Sequence, residues 1–257
     1  MTKRKTALIV DADLLVYSAC TAVECEVEWS PGVWSMQSDA GEARGHLDSE
    51  IRGILSRLDF KVDRVVLALS NYDVPGFRKG WMPEYKANRL GTRKPLSFFP
   101  LRESLEADYE VRQKPGLEGD DVIGILMTDD RYLPGWRKIM ASTDKDMLTI
   151  PGLLVNWGKG QYEPRMVTEE EAEYQHMLQT LTGDITDGYK GCPGTGPVRA
   201  KKLLADGLDW SKVVGAYEAA ELCDVDALLN ARMARILRAQ DYDFEKQRPI
   251  PWMPREG

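Results

Sequence analysis

The residues best suited to chemistry in this 257-residue chain are acids, and they come in ordered clusters. Asp11 and Asp13 stand in VDAD, Glu118, Asp120 and Asp121 in LEGDDV, Asp144 and Asp146 in STDKD, and Asp184 and Asp187 in GDITD. Asp73 is a fifth, isolated member. A lone DxD is ordinarily a helix cap or a solvated charge. Four clusters that each end or open an apolar run mean more, because strand C-termini in α/β folds line a common crevice. Carboxylates gathered there repel one another, and hard divalent cations with oxygen ligands are the natural counter-charge. Residues i and i+2 of a strand-end loop can turn to one ion. Glu118 and Asp121, like Asp184 and Asp187, are spaced i, i+3 and would share a helix face. A pair of ions held this way stabilises both the attacking and the leaving oxygen of a phosphoryl displacement. The expected chemistry is metal-dependent cleavage of phosphodiesters. A structural calcium site is disfavoured, since no D-x-[DN]-x-[DN]-G loop with its distal Glu occurs.

A phosphate-cutting crevice needs positive groups beside it. The stretch from Asn71 to Pro100 supplies Arg78, Lys79, Lys86, Arg89, Arg93 and Lys94, interleaved with Phe77, Trp81, Tyr85, Phe98 and Phe99. Basic and aromatic residues together suit a single-stranded nucleic-acid path. The plainer alternative is a solvated basic loop. Lys86 and Arg89 are spaced to meet one phosphate from a helical turn. The stretch has no apolar period, so it is expected to lie outside the core. Tyr17, six residues past Asp11, is either a core residue or a neighbour of the crevice.

The third feature is a turn between residues 183 and 202. Gly183, Gly188, Gly191, Gly194 and Gly196 alternate there with Pro193 and Pro197, and Lys190, Arg199, Lys201 and Lys202 add charge. Glycines allow close backbone approach, and Pro197 suits the first turn of a helix whose free N–H groups could bind phosphate. Such a hairpin grips duplex backbone without reading sequence.

The elements that must position these groups follow from periodicity. Thr6–Val10, 64–70, 137–142 and 153–157 read as buried strands. Helices are expected over 14–22, 44–59, 117–127, 168–182, 211–222 and 225–240, with a capping box from Thr168 to Glu171. Strands alternating with helices imply an α/β fold with a mostly parallel sheet, followed by a helical last third. The division expected is a nuclease-like core over 1–182, with the basic segment at 71–100, and a helical region over 183–257.

Net charge is −7, which by itself does not suggest a nucleic-acid binder. Two divalent ions would take −7 to −3. Cys20, Cys25, Cys192 and Cys223 form no CxxC pair and read as reduced thiols of a cytoplasmic protein. No apolar run is long enough to span a membrane, and the basic start MTKRK leads into a strand rather than a signal peptide.

The ordered motifs VDAD (10–13), PEYKANR (83–89), LEGDDV (117–122), STDKDMLTIP (142–151), GDITDGYKG (183–191) and ARMARILR (231–238) cover nearly the whole chain. Through them it resembles the 5′-nuclease superfamily of flap endonucleases and 5′→3′ exonucleases, most of all the phage branch. That resemblance implies a PIN-like (SAM-fold) core, a helical arch from the basic segment and a helix–three-turn–helix from the glycine-rich turn. It implies a metal-ligand role for Asp11, Glu118, Asp120, Asp121, Asp144, Asp146, Asp184 and Asp187, with two magnesium or manganese ions. Lys86 and Arg89 would contact the scissile phosphate and Tyr17 would stack on the base beside the cut. Arg78, Lys79, Arg93, Lys190, Gly191, Gly194, Gly196, Arg199, Lys201 and Lys202 would contact DNA, with potassium at the glycine-rich turn. The implied substrate is double-stranded DNA with a 5′ end, nick or flap. For a phage-encoded chain the setting would be the host cytoplasm, with phage replication proteins as partners. The family carries an Asp just after the second strand, where this chain reads Leu69-Ser70-Asn71-Tyr72-Asp73, so either Asn71 or Asp73 fills that slot. A PIN-like ribonuclease and a non-catalytic DNA-junction binder are the alternatives.

Overall fold

In the computed structural model, which describes residues 4–89 and 91–254, Thr6–Asp11 forms β1 and Ala12–Val23 forms α1. A hairpin of β2 (Cys25–Ser30) and β3 (Val33–Gln37) precedes α2 (Ala40–Ser56) and β4 (Arg64–Ala68). Two short helices, α3 (Phe77–Trp81) and α4 (Phe98–Ser104), lead to β5 (Glu110–Arg112), α5 (Gly119–Thr128), β6 (Arg137–Ala141), β7 (Gly152–Asn156) and β8 (Gln161–Val167). Then come α6 (Glu169–Thr182), α7 (Pro197–Leu203), α8 (Trp210–Glu218) and α9 (Asp224–Ala234).

The run TALIV is buried on both faces because β1 lies inside the sheet, whose order is β5-β4-β1-β6-β7-β8. All its pairings are parallel except β7 with β8. Successive strand residues point to opposite faces and so feed two cores. Leu8 and Val10 pack with Leu67 and Leu69 against α1, α2 and α4. Ile9 packs with Val66, Met140 and α5 on the other side. A third cluster, with Leu181, Leu204, Val213 and Tyr217, holds α6 to α9 together. The capping box forms as expected, with Thr168 Oγ1 accepting from the Glu171 N–H at 3.1 Å.

Three expectations are corrected. The segment 71–100 is not outside the core: Arg78, Tyr85 and Phe98 are buried. Among the described residues it forms no continuous arch helix, but α3, a 3-10 turn at Ala87–Arg89 and a loop into the start of α4. The last helix stops at Ala234 instead of reaching 240, because main-chain groups of Arg235 and Leu237 turn to side-chain partners on α3 and α5. The β2–β3 hairpin and the antiparallel β8 carry no periodic signal strong enough to read beforehand.

Candidate active site

β1 delivers Asp11 to the C-terminal edge of the sheet, where the Ser142 hydroxyl at the end of β6 donates to it at 2.8 Å. Burial, then Asp13 and Asp144, push the Asp11 carboxyl up to about 7. Asp144 caps the 3-10 turn Lys145–Thr149 by accepting from the Asp146 N–H. Asp146 accepts from Gln179 Nε2 of α6, and burial followed by Asp144 raises it to about 6. Glu118 caps α5 and Asp120 occupies its first turn, where anionic groups are favoured. Glycine at 119 eases the approach of α5 to the start of α1: a Cβ there would sit 2.8 Å from Asp13 Oδ2. Burial, then Asp121 and Glu118, raise Asp120 well above the carboxylate range. Asp11, Asp120, Glu118 and Asp144 line a single cavity of about 870 Å³.

The positive side of this cavity comes from the PEYKANR segment. Lys86 Nζ lies 2.7 Å from Glu118 Oε1 and 3.6 Å from Asp187 Oδ2, and Arg89 Nη2 lies 2.8 Å from Asp187 Oδ1. The two cations therefore converge on one anion. Lys86 holds a left-handed backbone, φ +54°, a conformation that costs a non-glycine residue energy. Its N–H is fixed to the Asp187 carbonyl at 2.8 Å. The Tyr85 hydroxyl lies 3.0 Å from Glu118 and 3.1 Å from Asp187, so it bridges the two carboxylates. Burial, opposed by Lys86 and assisted by Glu118, leaves the Asp187 carboxyl above its ordinary value. Glu118 goes the other way: burial raises it, but Lys86 and Arg78 outweigh that and hold it low. Asp184 is likewise low, as N–H donors and Lys145 overcome its burial.

Some acids are already spoken for. Both oxygens of Asp121, which is fully buried, accept from the Arg78 guanidinium at 2.7 and 2.8 Å, and one also accepts from the Leu237 N–H. Asp121 is thus a partner of Arg78, whereas Glu118 and Asp120 face the cavity. Asp13 accepts from Ser70 and from Arg102 of α4. Asn71 donates to Asp73 at 2.8 Å, and both line the cavity.

Three residues expected to contact DNA have partners within the protein. Arg78 is buried and also donates to the Met233 and Arg235 carbonyls. Gly191 is buried, donates to Asn230, and crosses Gly183 so closely that a Cβ on either would lie 2.3 Å from the other strand. Arg93 is held by Glu24 at 2.5 Å. By contrast Lys79, Lys190, Gly194, Gly196, Arg199, Lys201 and Lys202 are exposed, and Gly196 and Pro197 open α7 as expected. Gly188 lets the turn pack on the PEYKANR backbone, where a Cβ would stand 3.1 Å from the Glu84 carbonyl. Tyr17 is 40% exposed and lines the cavity.

Sequence reasoning missed Tyr85, Ser142, Gln179 and Arg102 as partners of the acids. Tyr85 had a signal, its place inside PEYKANR. Ser142 had one too, as the first residue of STDKD; Gln179 and Arg102 had none, since each reaches the site from a different element. A donor set of carboxylate oxygens, several held above their ordinary pKa by burial and then by mutual repulsion, fits hard divalent cations, which would return those groups to the charged form.

Residues 6–175 match the family model for the 5′-3′ exonuclease, N-terminal resolvase-like domain. An exodeoxyribonuclease of Enterobacteria phage T3 is 30% identical over 98% of this chain and 94% of its own length. An exonuclease of Escherichia phage T7 is 30% identical over 97% of this chain and 94% of its own. A bacteriophage T5 flap endonuclease, solved as a pseudo-enzyme–product complex with DNA and metal ions, shares the fold at a TM-score of 0.60 and 14% identity. That match covers 90% of this chain and 89% of the other. A 5′-exonuclease of T5 with bound zinc superposes at a TM-score of 0.61 and 15% identity, again over 90% and 89%.

Proposed function

The chain belongs to the 5′-3′ exonuclease family, and from that premise we propose that it degrades duplex DNA from 5′ ends and nicks and cuts 5′ flaps. The observation that carries this reading is the meeting of Lys86 and Arg89 on Asp187 at the mouth of the acidic cavity. Cations that pair with a carboxylate there are placed to pair with a phosphate instead, neutralising charge that develops at the cut. The residues that would hold two divalent ions, magnesium or manganese, are Asp11, Glu118, Asp120, Asp144, Asp146, Asp184 and Asp187, with Asp73 at the edge. When bound, the ions supply Lewis-acid stabilisation of the displaced oxygen and an activated water. Tyr17 stacks on the base beside the cut. Residues 183–257 grip the duplex through Lys190, Gly194, Gly196, Arg199, Lys201 and Lys202, with a potassium ion at the turn. Residues 1–182 carry the rest of the chemistry, joined by Asp184 and Asp187 from the start of the second region. For a phage-encoded chain the setting is the host cytoplasm, alongside phage replication proteins. No described helix is long and apolar enough to cross a membrane.

One assay tests this reading. End-labelled duplex, 5′-flap DNA and the matching RNA are offered with magnesium or with EDTA. Loss of the 5′ label from DNA only with magnesium is expected. Cutting of RNA at a similar rate would point to a ribonuclease, and binding without cutting to a junction protein.

A further inference from the structure

Two cations at the cavity, Lys79 and Lys94, have no acid partner among the described residues, and of the two it is Lys94 that stands among aromatic rings. Lys86 and Arg89 are paired with Asp187, and Arg78 with Asp121. Lys94 also lines the cavity, yet among the described residues no carboxylate lies within 4.0 Å of its ammonium. The ammonium stands instead 4.6 Å from the Phe98 ring, 5.1 Å from Tyr72 and 5.9 Å from Tyr17, with the Tyr72 hydroxyl at 3.4 Å. Tyr17 and Tyr72 keep 40% and 47% of their surface open. Desolvation, opposed by Asp13 and reinforced by Arg102, Arg89 and Lys86, leaves the ammonium below its ordinary pKa, a situation that a nearby anion would relieve.

The loop bearing Lys94 is held in place. Glu24, at the end of α1, takes the Arg93 guanidinium at 2.5 Å and the Leu96 N–H at 2.7 Å. These bonds lower the Glu24 carboxyl to about 2. Arg93 and Leu96 are thus tied outward while Lys94, between them, faces the rings. The combination is a fixed cation with no acid partner, two open aromatic faces, and continuity with the acidic cavity.

We propose that Lys94, Tyr17 and Tyr72 form a nucleotide subsite on the 5′ side of the cut, in which Lys94 receives a phosphate and the tyrosines take the adjoining base. This rests on the nuclease reading above. An ammonium-to-phosphate bond is charge-assisted, and base–aromatic stacking adds to it without regard to sequence. The phosphate is either the terminal 5′-phosphate of a duplex end or the linkage one nucleotide 5′ of a flap cut.

The test compares charged with neutral at each place. One arm uses blunt duplexes with a 5′-phosphate or a 5′-hydroxyl. The other uses flaps with a natural or a methylphosphonate linkage one nucleotide 5′ of the cut. In at least one arm, wild type should favour the charged substrate in kcat/KM by about tenfold or more. That ratio should collapse toward one in Lys94→Gln and persist in Lys94→Arg. The arm that shows it identifies the phosphate. A wild-type ratio near one in both arms, or an undiminished ratio in Lys94→Gln, overturns the subsite. Anisotropy binding of the same strands in chelator reads the discrimination without turnover. Discrimination in binding with no cleavage would count against the nuclease reading alone.

Discussion

Asp120 and Asp121 are adjacent in sequence and differ in everything that decides their chemistry. Asp120 lines the cavity with its carboxyl raised by burial and by its neighbours, and no cation lies within ion-pair distance of it among the described residues. Asp121 is fully buried, with a guanidinium on both oxygens. The same division recurs at β1, where Asp11 has the Ser142 hydroxyl but no cation within ion-pair distance among the described residues, while Asp13 has Arg102 and Ser70. One acid of each pair is left in an unfavourable state that a divalent cation would relieve, and the other fastens the frame. A buried guanidinium, and not the spacing of the acids, decides which is which.

The sharpest way to break this comparison is to neutralise one member at a time. Asp120→Asn should lower cleavage by a thousandfold or so while raising the melting temperature of the metal-free protein, since it removes a repelled charge. A near-normal rate would sink its ligand role. Arg78→Ala should cost about 3–5 kcal/mol in urea unfolding by stranding Asp121, and Arg78→Met with Asp121→Leu should recover much of that. If the single variant unfolds like wild type, the latch is not a latch.

Lys86→Ala probes the boundary between the two groups. It should slow turnover by about a hundredfold and weaken duplex binding far less; single-turnover rates beside binding titrations measure both. The smallest effect is on pH. A carboxyl with a raised folded pKa favours the fold at low pH. In chelator the Asp11 contribution should therefore fade as pH climbs from near 3.8 through about 7, with Asp146 fading through about 6. Magnesium at a hundred times its dissociation constant should add about 2.7 kcal/mol, and more at pH 8 than at pH 5. A magnesium shift independent of pH would mean that these carboxyls do not hold the ions.

Much of this was legible beforehand. β1, β4, β6 and β7 are short apolar runs that end near polar groups, and period alone finds them. The acid clusters and PEYKANR converge because they sit at strand ends and at a helix start. The burial of Arg78 was not legible, because a basic residue in a basic stretch looks solvated until its partner, 43 residues later, is seen. Gly191 looked like a phosphate contact because glycine serves close approach of any kind, here of backbone to backbone. The end of α9 at Ala234 depended on bonds to α3 and α5 that no local pattern records.

Those bonds also set a schedule. The main-chain groups that complete the Arg78–Asp121 latch lie 157 and 116 residues beyond the side chains they meet. During synthesis, the acids of the cavity are all made before the segment that locks their frame. A ribosome-arrested chain stopping short of Met233 should have α3 open to protease, and one carrying residues through 240 clear of the ribosome should protect it.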